Sequence, residues 1–126
     1  MIKEVIISII IIISIISLDI LTQNYTKEST KETRTKLSEL KKEIKSGSNT
    51  VNQSVDMIFQ TWEKRRSRLA YFIEHDELEK VETNLTNMRS SIEELDFVIA
   101  IQSIDEAKFI LEHIEEKNAF NLENIF

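Results

Sequence analysis

The chain has 126 residues with one glycine, no proline and no cysteine, so it lacks the punctuation that sheets and hairpins need and reads as all-α rather than as a Rossmann, sandwich or barrel fold. The missing cysteine excludes disulfides, thiolate zinc sites and a cysteine nucleophile. The formal net charge of −6 is unevenly placed: residues 27–45 hold seven basic and four acidic side chains, net +3, whereas residues 46–126 hold eight basic and sixteen acidic, net −8. An acidic distal domain repels nucleic acid and anionic lipid, so nucleic acid is not an expected partner, while the basic stretch directly after the apolar segment suits a place near phospholipid headgroups.

Residues 5–18 contain nine isoleucines, one valine, one leucine and three serines, with no charge. At roughly −0.3 to −0.6 kcal/mol per large aliphatic residue, those eleven contribute about −3 to −7 kcal/mol to membrane insertion, enough to tolerate Asp19 near one end. The uncharged run is shorter than the ~20 residues that cross ~30 Å of hydrocarbon, so the span borrows Ile2 and Ile20-Leu21. A transmembrane anchor over residues 1–21 follows. The lipid bilayer is the expected partner of the segment that begins at Val5 and closes at Leu21. No small-x-small site follows Ser17, where Leu18, Asp19, Ile20 and Leu21 stand instead, so the anchor is expected to stay uncleaved.

Two rules disagree on orientation. Counting Lys27, Lys31, Arg34 and Lys36 after the span against Lys3 before it puts the following domain in the cytoplasm. A very short basic tail ahead of a signal-length apolar run is the form of an export signal, whose distal side is translocated. The second pattern is taken to dominate and places the soluble domain outside the cytoplasm.

Residues 22–46 are rich in Thr, Lys and Glu, with Leu37, Leu40 and Ile44 returning late at helical spacing. This reads as a helical stalk, polar all round and solvated through its middle, ending at Ser46-Gly47-Ser48 with the glycine at C′. A helical bundle domain over residues 49–126 follows. Its first helix begins after an Asn49 or Thr50 cap and carries Val51, Val55, Ile58, Phe59, Trp62, Leu69, Phe72 and Ile73 on one face, to end near His75. Asp76 with Glu79 forms a capping-box pattern for the next helix. There Leu78, Val81, Leu85, Met88, Ile92 and Leu95 step by threes and fours, a stripe that needs a partner helix. Residues 96–102 are apolar on all sides, and with the capping-box pattern of Ser103 and Glu106 they predict a turn or kink. The last helix presents Ile104, Ala107, Ile110, Leu111 and Ile114. Phe120, Leu122, Ile125 and Phe126 close the chain as an apolar end expected to pack. Short connections make this an up-down bundle.

The histidines are two, His75 and His113. In an up-down arrangement they fall toward one end, and with Glu74, Asp76, Glu79, Glu112 and Glu116 nearby they are the only candidates for a His₂-carboxylate metal site. The chain has neither His-Glu-x-x-His nor the Glu-x-x-His pairs of di-iron bundles, so caps or surface hydrogen bonds are the plainer reading, and no metal or other cofactor is expected. Trp62 with Phe59 and Phe72 reads as core rather than as a ligand pocket. The basic cluster Lys64, Arg65, Arg66 and Arg68 reads as a solvated face or as partners for acids such as Glu82. Without a nucleophile elbow, a phosphate-binding glycine loop or a spaced ligand set, no catalytic residue is assigned and the chain is not read as an enzyme.

The isoleucine-rich anchor, Trp62, Phe72-Ile73-Glu74-His75-Asp76-Glu77, His113-Ile114 and the closing Leu122-Glu123-Asn124-Ile125-Phe126 together resemble the bacterial domain-of-unknown-function family numbered 4363. The resemblance spans nearly the whole chain. It implies a small single-pass protein of the cell membrane of low-GC Gram-positive bacteria, with no established activity and no catalytic residues to carry over. The expectation is a membrane-tethered, non-enzymatic helical module that binds another membrane or envelope protein. The alternatives are metal binding at His75 and His113, or a ligand-sensing bundle outside the cytoplasm.

Overall fold

The computed structural model describes the backbone of residues 1–125 and the side chains of residues 1–119. Four helices follow in order: α1 (Ile2–Ser46), α2 (Val51–Leu69), α3 (His75–Glu93) and α4 (Phe97–Ile125). No strand occurs among the described residues. Short turns make successive helices antiparallel. Helix α4 packs along both α3 and α1, α2 packs along α1, and α2 meets α3 more sparingly, which closes a four-helix ring in up-down order.

Helix α1 runs 45 residues without interruption, about 68 Å at 1.5 Å per residue. It contains no glycine or proline to break it. Two of the hydroxyls on its apolar half fold back onto its own carbonyls, Ser8 Oγ to Glu4 O and Ser14 Oγ to Ile10 O, both 2.8 Å, which meets their polar demand within the helix. The helix stops where Gly47 takes φ 69°, and the amides of Gly47 and Ser48 donate to Ile44 O and Glu43 O at 3.2 and 3.0 Å. That is the glycine C′ end expected from the sequence.

The first half of α1 touches none of the bundle: its apolar stretch meets the length and composition of a membrane-crossing helix and is 0% buried by protein. The second half corrects the expectation of a solvated stalk over residues 22–46. Thr26, Ser29, Thr30, Thr33, Leu37 and Leu40 are all fully buried, on one face at steps of three and four, so this stretch is itself a member of the bundle. Small hydroxylated side chains permit close approach. Thr26, Ser29 and Thr33 each donate to a carbonyl four residues back, at 2.8, 2.7 and 3.0 Å, which meets their polar demand inside the helix and lets them be buried at low cost.

The shared core gathers Leu37 and Leu40 with Val55, Ile58, Trp62 and Leu69 of α2, Leu78, Val81, Leu85, Met88 and Ile92 of α3, and Ala100, Ile104, Ala107, Leu111 and Ile114 of α4. These include most of the apolar positions chosen by spacing, while Val51, Phe59, Phe72, Ile73 and Ile110 pack at its margin. Boundaries differ in three places. Helix α2 ends at Leu69, before His75, and residues 70–74 make the turn. Glu74, not Asp76, occupies the N-cap position of α3 and makes no side-chain cap bond, while Asp76 lies in the first turn, where its charge still suits the helix dipole.

The largest shift is at the α3–α4 connection. Leu95, expected on the buried stripe, is 74% exposed with φ 61°. Helix α3 has already ended at Glu93, and α4 starts at Phe97 and passes through residues 97–103 without a kink. The cap is Asp96, whose Oδ1 accepts from the Ile99 amide at 3.3 Å; Ser103 is buried in mid-helix. A capping pattern in sequence marks a helix start only if the preceding residues leave the helix, and here they do not. The closing side chains Phe120, Leu122, Ile125 and Phe126 lie outside the described residues.

Candidate functional site

Charged side chains are where chemistry would reside, and between helices they pair with one another. Arg34 of α1 reaches Glu115 at 2.5 Å and Glu112 at 3.6 Å, and Thr30 Oγ1 donates to the same Glu115 carboxylate at 3.1 Å. Lys41 holds Asp105 at 2.9 Å. Between α1 and α2, Arg65 bonds Glu32 at 2.5 Å and lies 5.2 Å above the Tyr25 ring. Between α2 and α3, Arg66 pairs with Glu82, and Arg89 bonds Asp56 at 3.1 Å while stacking 3.6 Å from the Phe59 ring centre. Burial alone would make Arg65 less basic, but its bonds to Glu32 and Tyr25 outweigh that and raise its pKa above the ordinary arginine value, so it stays charged at any physiological pH.

The basic cluster on α2 therefore divides. Arg65 and Arg66 are spent on neighbouring helices, Arg66 on Glu82, the acid named from the sequence as an example of a partner for the cluster, while Lys64 and Arg68 stay exposed. These pairs fix which helix lies beside which and at what register. They are partly exposed and hold their carboxylates in contact with cations, which is the setting of structural ion pairs rather than of acid/base catalysis.

His75 opens α3 and is exposed, with Nε2 2.9 Å from Glu79 Oε1 one turn later. His113 is exposed on α4. Among the described residues no group of three or more His, Asp or Glu side chains is arranged to hold a metal ion, and the fold gives each histidine surface surroundings. Trp62 is 2% exposed within the shared core, where spacing placed it.

What sequence reasoning missed is a second, exposed stripe on α4, apolar at its two ends and polar between them. Val98, Gln102, Asp105 and Phe109 recur at steps of four, three and four, on the side of α4 opposite Ala100, Ile104, Ala107 and Leu111. Val98 is 79% and Phe109 70% exposed, and with Ile101, Gln102, Asp105 and Glu106 they border a shallow depression of about 700 Å³. The signal was present: residues apolar on all sides of a helix leave some side uncovered when only one face packs. A second depression, of about 620 Å³, lies at the end of the bundle far from the N-terminus, between Ile44, Val51, Ile92, Leu95 and Phe97. Isolated exposed apolar residues are ordinary; here Val98, Ile101 and Phe109 share one side of α4, interrupted by Gln102 and Asp105, a mixed apolar and acidic surface of a kind that protein partners cover.

A family model described as Domain of unknown function (DUF4363) matches residues 20–125. No curated protein matches the chain, and no solved structure does.

Proposed function

The chain belongs to the DUF4363 family, a domain of unknown function, and from its own geometry we propose that it is a membrane-tethered, non-enzymatic helical module that binds another membrane or envelope protein. In this reading the apolar half of α1 is an uncleaved single-pass anchor in a bacterial cell membrane, and the bundle stands outside the cytoplasm. The tether is supported by an apolar stretch that no part of the bundle covers. Its length also fits: residues 2–21 extend about 30 Å as a helix, the thickness of the hydrocarbon layer.

The observation that carries partner binding is the uncovered stripe on α4, with Val98 and Phe109 exposed beside Asp105 and Glu106. Its chemistry suits one kind of occupant, an amphipathic helix with an apolar seam and basic flanks. Asp105 is already neutralised by Lys41, so the basic flank would answer Glu106, and a second copy of this face would bring the two Glu106 charges together.

The cysteine-free chain allows one experiment to test binding and sidedness together. Gln102→Cys, which leaves Val98 and Phe109 in place, is reacted in intact cells with a maleimide reagent bearing a photoreactive arm, in membrane-impermeant and permeant forms. The expected result is a discrete adduct to another protein with the impermeant form, weakened by Glu106→Lys. An adduct only with the permeant form would overturn the placement outside the cytoplasm. Recovery of monomer alone with both forms would overturn partner binding.

A further inference from the structure

We propose that the α2–α3 turn, residues 70–74, is a second membrane contact: it rests in the headgroup layer of the bilayer that α1 crosses, so the bundle stands on the membrane by that end. This inference depends on the anchor reading above and adds to it a fixed posture. Three observations meet at the turn.

The first is height. The Phe72 ring packs edge-on against the Tyr25 ring at 6.2 Å between centroids, and Arg65, one turn before the end of α2, lies over that same Tyr25. The turn is thus level with residue 25 of α1. Tyr25 is four residues beyond Leu21, about 6 Å along the helix axis. The headgroup layer on each side of a bilayer is itself about 5–7 Å deep, so a turn at that height falls within it.

The second is stiffness. Nothing between Leu21 and Tyr25 allows the bundle to swing away. α1 is one unbroken helix there, Thr22 Oγ1 is bonded to Asp19 O at 3.0 Å and Thr26 Oγ1 to Thr22 O at 2.8 Å, and glycine and proline are absent. A flexible linker would let the domain float; a continuous helix holds the turn at one level.

The third is what the turn displays. Tyr71 is 88% exposed, more than any other large apolar side chain among the described residues of the bundle. In water only the hydroxyl of a projecting tyrosine is well solvated, whereas at a bilayer surface its ring also meets the upper acyl region while the hydroxyl meets the headgroups. Exposed Lys27, Lys64 and Arg68 stand on the α1 and α2 side of this end, suited to phosphate oxygens. On the α3 side, Glu74 is drawn to Lys117 at 3.4 Å and Asp76 is exposed. Net attraction to anionic lipid is therefore not the main term, and the contact is carried by Tyr71 at the interface.

Single-cysteine variants of the full chain, labelled with an environment-sensitive fluorophore and reconstituted in phosphatidylethanolamine–phosphatidylglycerol vesicles, provide the test. Ile12→Cys reports the span, Ala70→Cys the turn beside Tyr71, and Asn49→Cys the opposite end, about 30 Å farther along the bundle. The Ala70 label is expected to be quenched by headgroup nitroxide lipid several-fold more than the Asn49 label, and a further Tyr71→Asp change is expected to reduce that quenching while leaving it above the Asn49 level, because the unbroken α1 helix still sets the height of the turn. If Ile12 is quenched by acyl-chain nitroxide while Ala70 and Asn49 are equally unquenched, the anchor stands and the docked turn is overturned. Equal strong quenching at Ala70 and Asn49 would mean a bundle lying on its side, which also overturns the proposal. No quenching at Ile12 would overturn the anchor itself.

Discussion

The two halves of α1 share one backbone and differ in what surrounds them. Residues 5–18 are aliphatic apart from three serines yet are not buried by any other part of the protein, whereas residues 26–33 are all Thr, Ser, Lys or Glu and bury Thr26, Ser29, Thr30 and Thr33 completely. Hydropathy ranks the two halves in the opposite order to their burial by protein. The difference lies in which solvent each can accept. A uniformly aliphatic surface has no face on which to stop packing and is compatible with lipid all round, while the second half keeps a polar outer face and offers its neighbours a narrow strip of small, internally bonded side chains. Burial within a bundle is decided by the shape and satisfaction of one strip, not by the average character of the segment.

The sharpest way to break this comparison is to cut a four-carbon aliphatic side chain from each half. Leu37→Ala is expected to cost about 2–5 kcal/mol of bundle stability through the cavity it leaves, whereas Ile12→Ala changes it by less than about 0.5 kcal/mol. Denaturation of the full chain in detergent micelles, followed by the fluorescence of Trp62, the single tryptophan, reads both. Equal losses would mean that the apolar half does pack on the bundle.

A smaller effect is expected at the ion pair that binds the second half to α4. Arg34 and Glu115 are 24% and 25% exposed, and Glu115 also accepts from Thr30. Glu115→Ala should cost about 1–3 kcal/mol. A double-mutant cycle with Arg34→Ala should return a coupling near ~1 kcal/mol. A coupling indistinguishable from zero would place this pair with exposed ones and leave close packing alone to hold α1 in the bundle.

The smallest effect belongs to the strip itself. Thr33→Val keeps the shape and removes a hydroxyl that bonds only its own helix at Ser29 O, so stability should move by less than about 0.5 kcal/mol in either direction. A loss above ~2 kcal/mol in the same denaturation assay would show that the hydroxyl supports more than that local bond.

Much of the fold is legible from spacing. The stripe from Leu78 to Ile92, the α2 face with Trp62, and the glycine end of α1 all stand where periodicity and Gly47 put them. Failures arose where a local pattern had two meanings. Ser103 with Glu106 has the form of a capping box but sits inside α4, because Asp96 had already capped that helix seven residues earlier. Leu95 continues the a/d spacing but takes a left-handed turn conformation and points its side chain to solvent. Thr26 and Thr30 carry no hydropathy signal, although their steps of three and four with Ser29 and Thr33 do. Of the candidate surface on α4, Phe109 and Val98 could have been found by asking which side of an all-round apolar helix is left over. The pairing of Arg34 with Glu115, 81 residues apart, depends on tertiary register that a single sequence does not encode locally.

The absence of any break in α1 also sets a compass bearing. Every residue added to a helix turns the rest of the chain by about 100° and lifts it by about 1.5 Å. The side of the apolar segment that lies beneath the α4 stripe is therefore determined by residue count alone. One residue inserted between Leu21 and Thr22 would swing Val98 and Phe109 by more than a quarter of a revolution, while seven would restore their heading to within ~20° at a height about 10 Å greater. In the membrane setting proposed for this chain, a partner moving in the plane of the bilayer then has one azimuth from which to approach. The helix acts as an indexing shaft, and angular phase becomes a property that insertion length can tune separately from height.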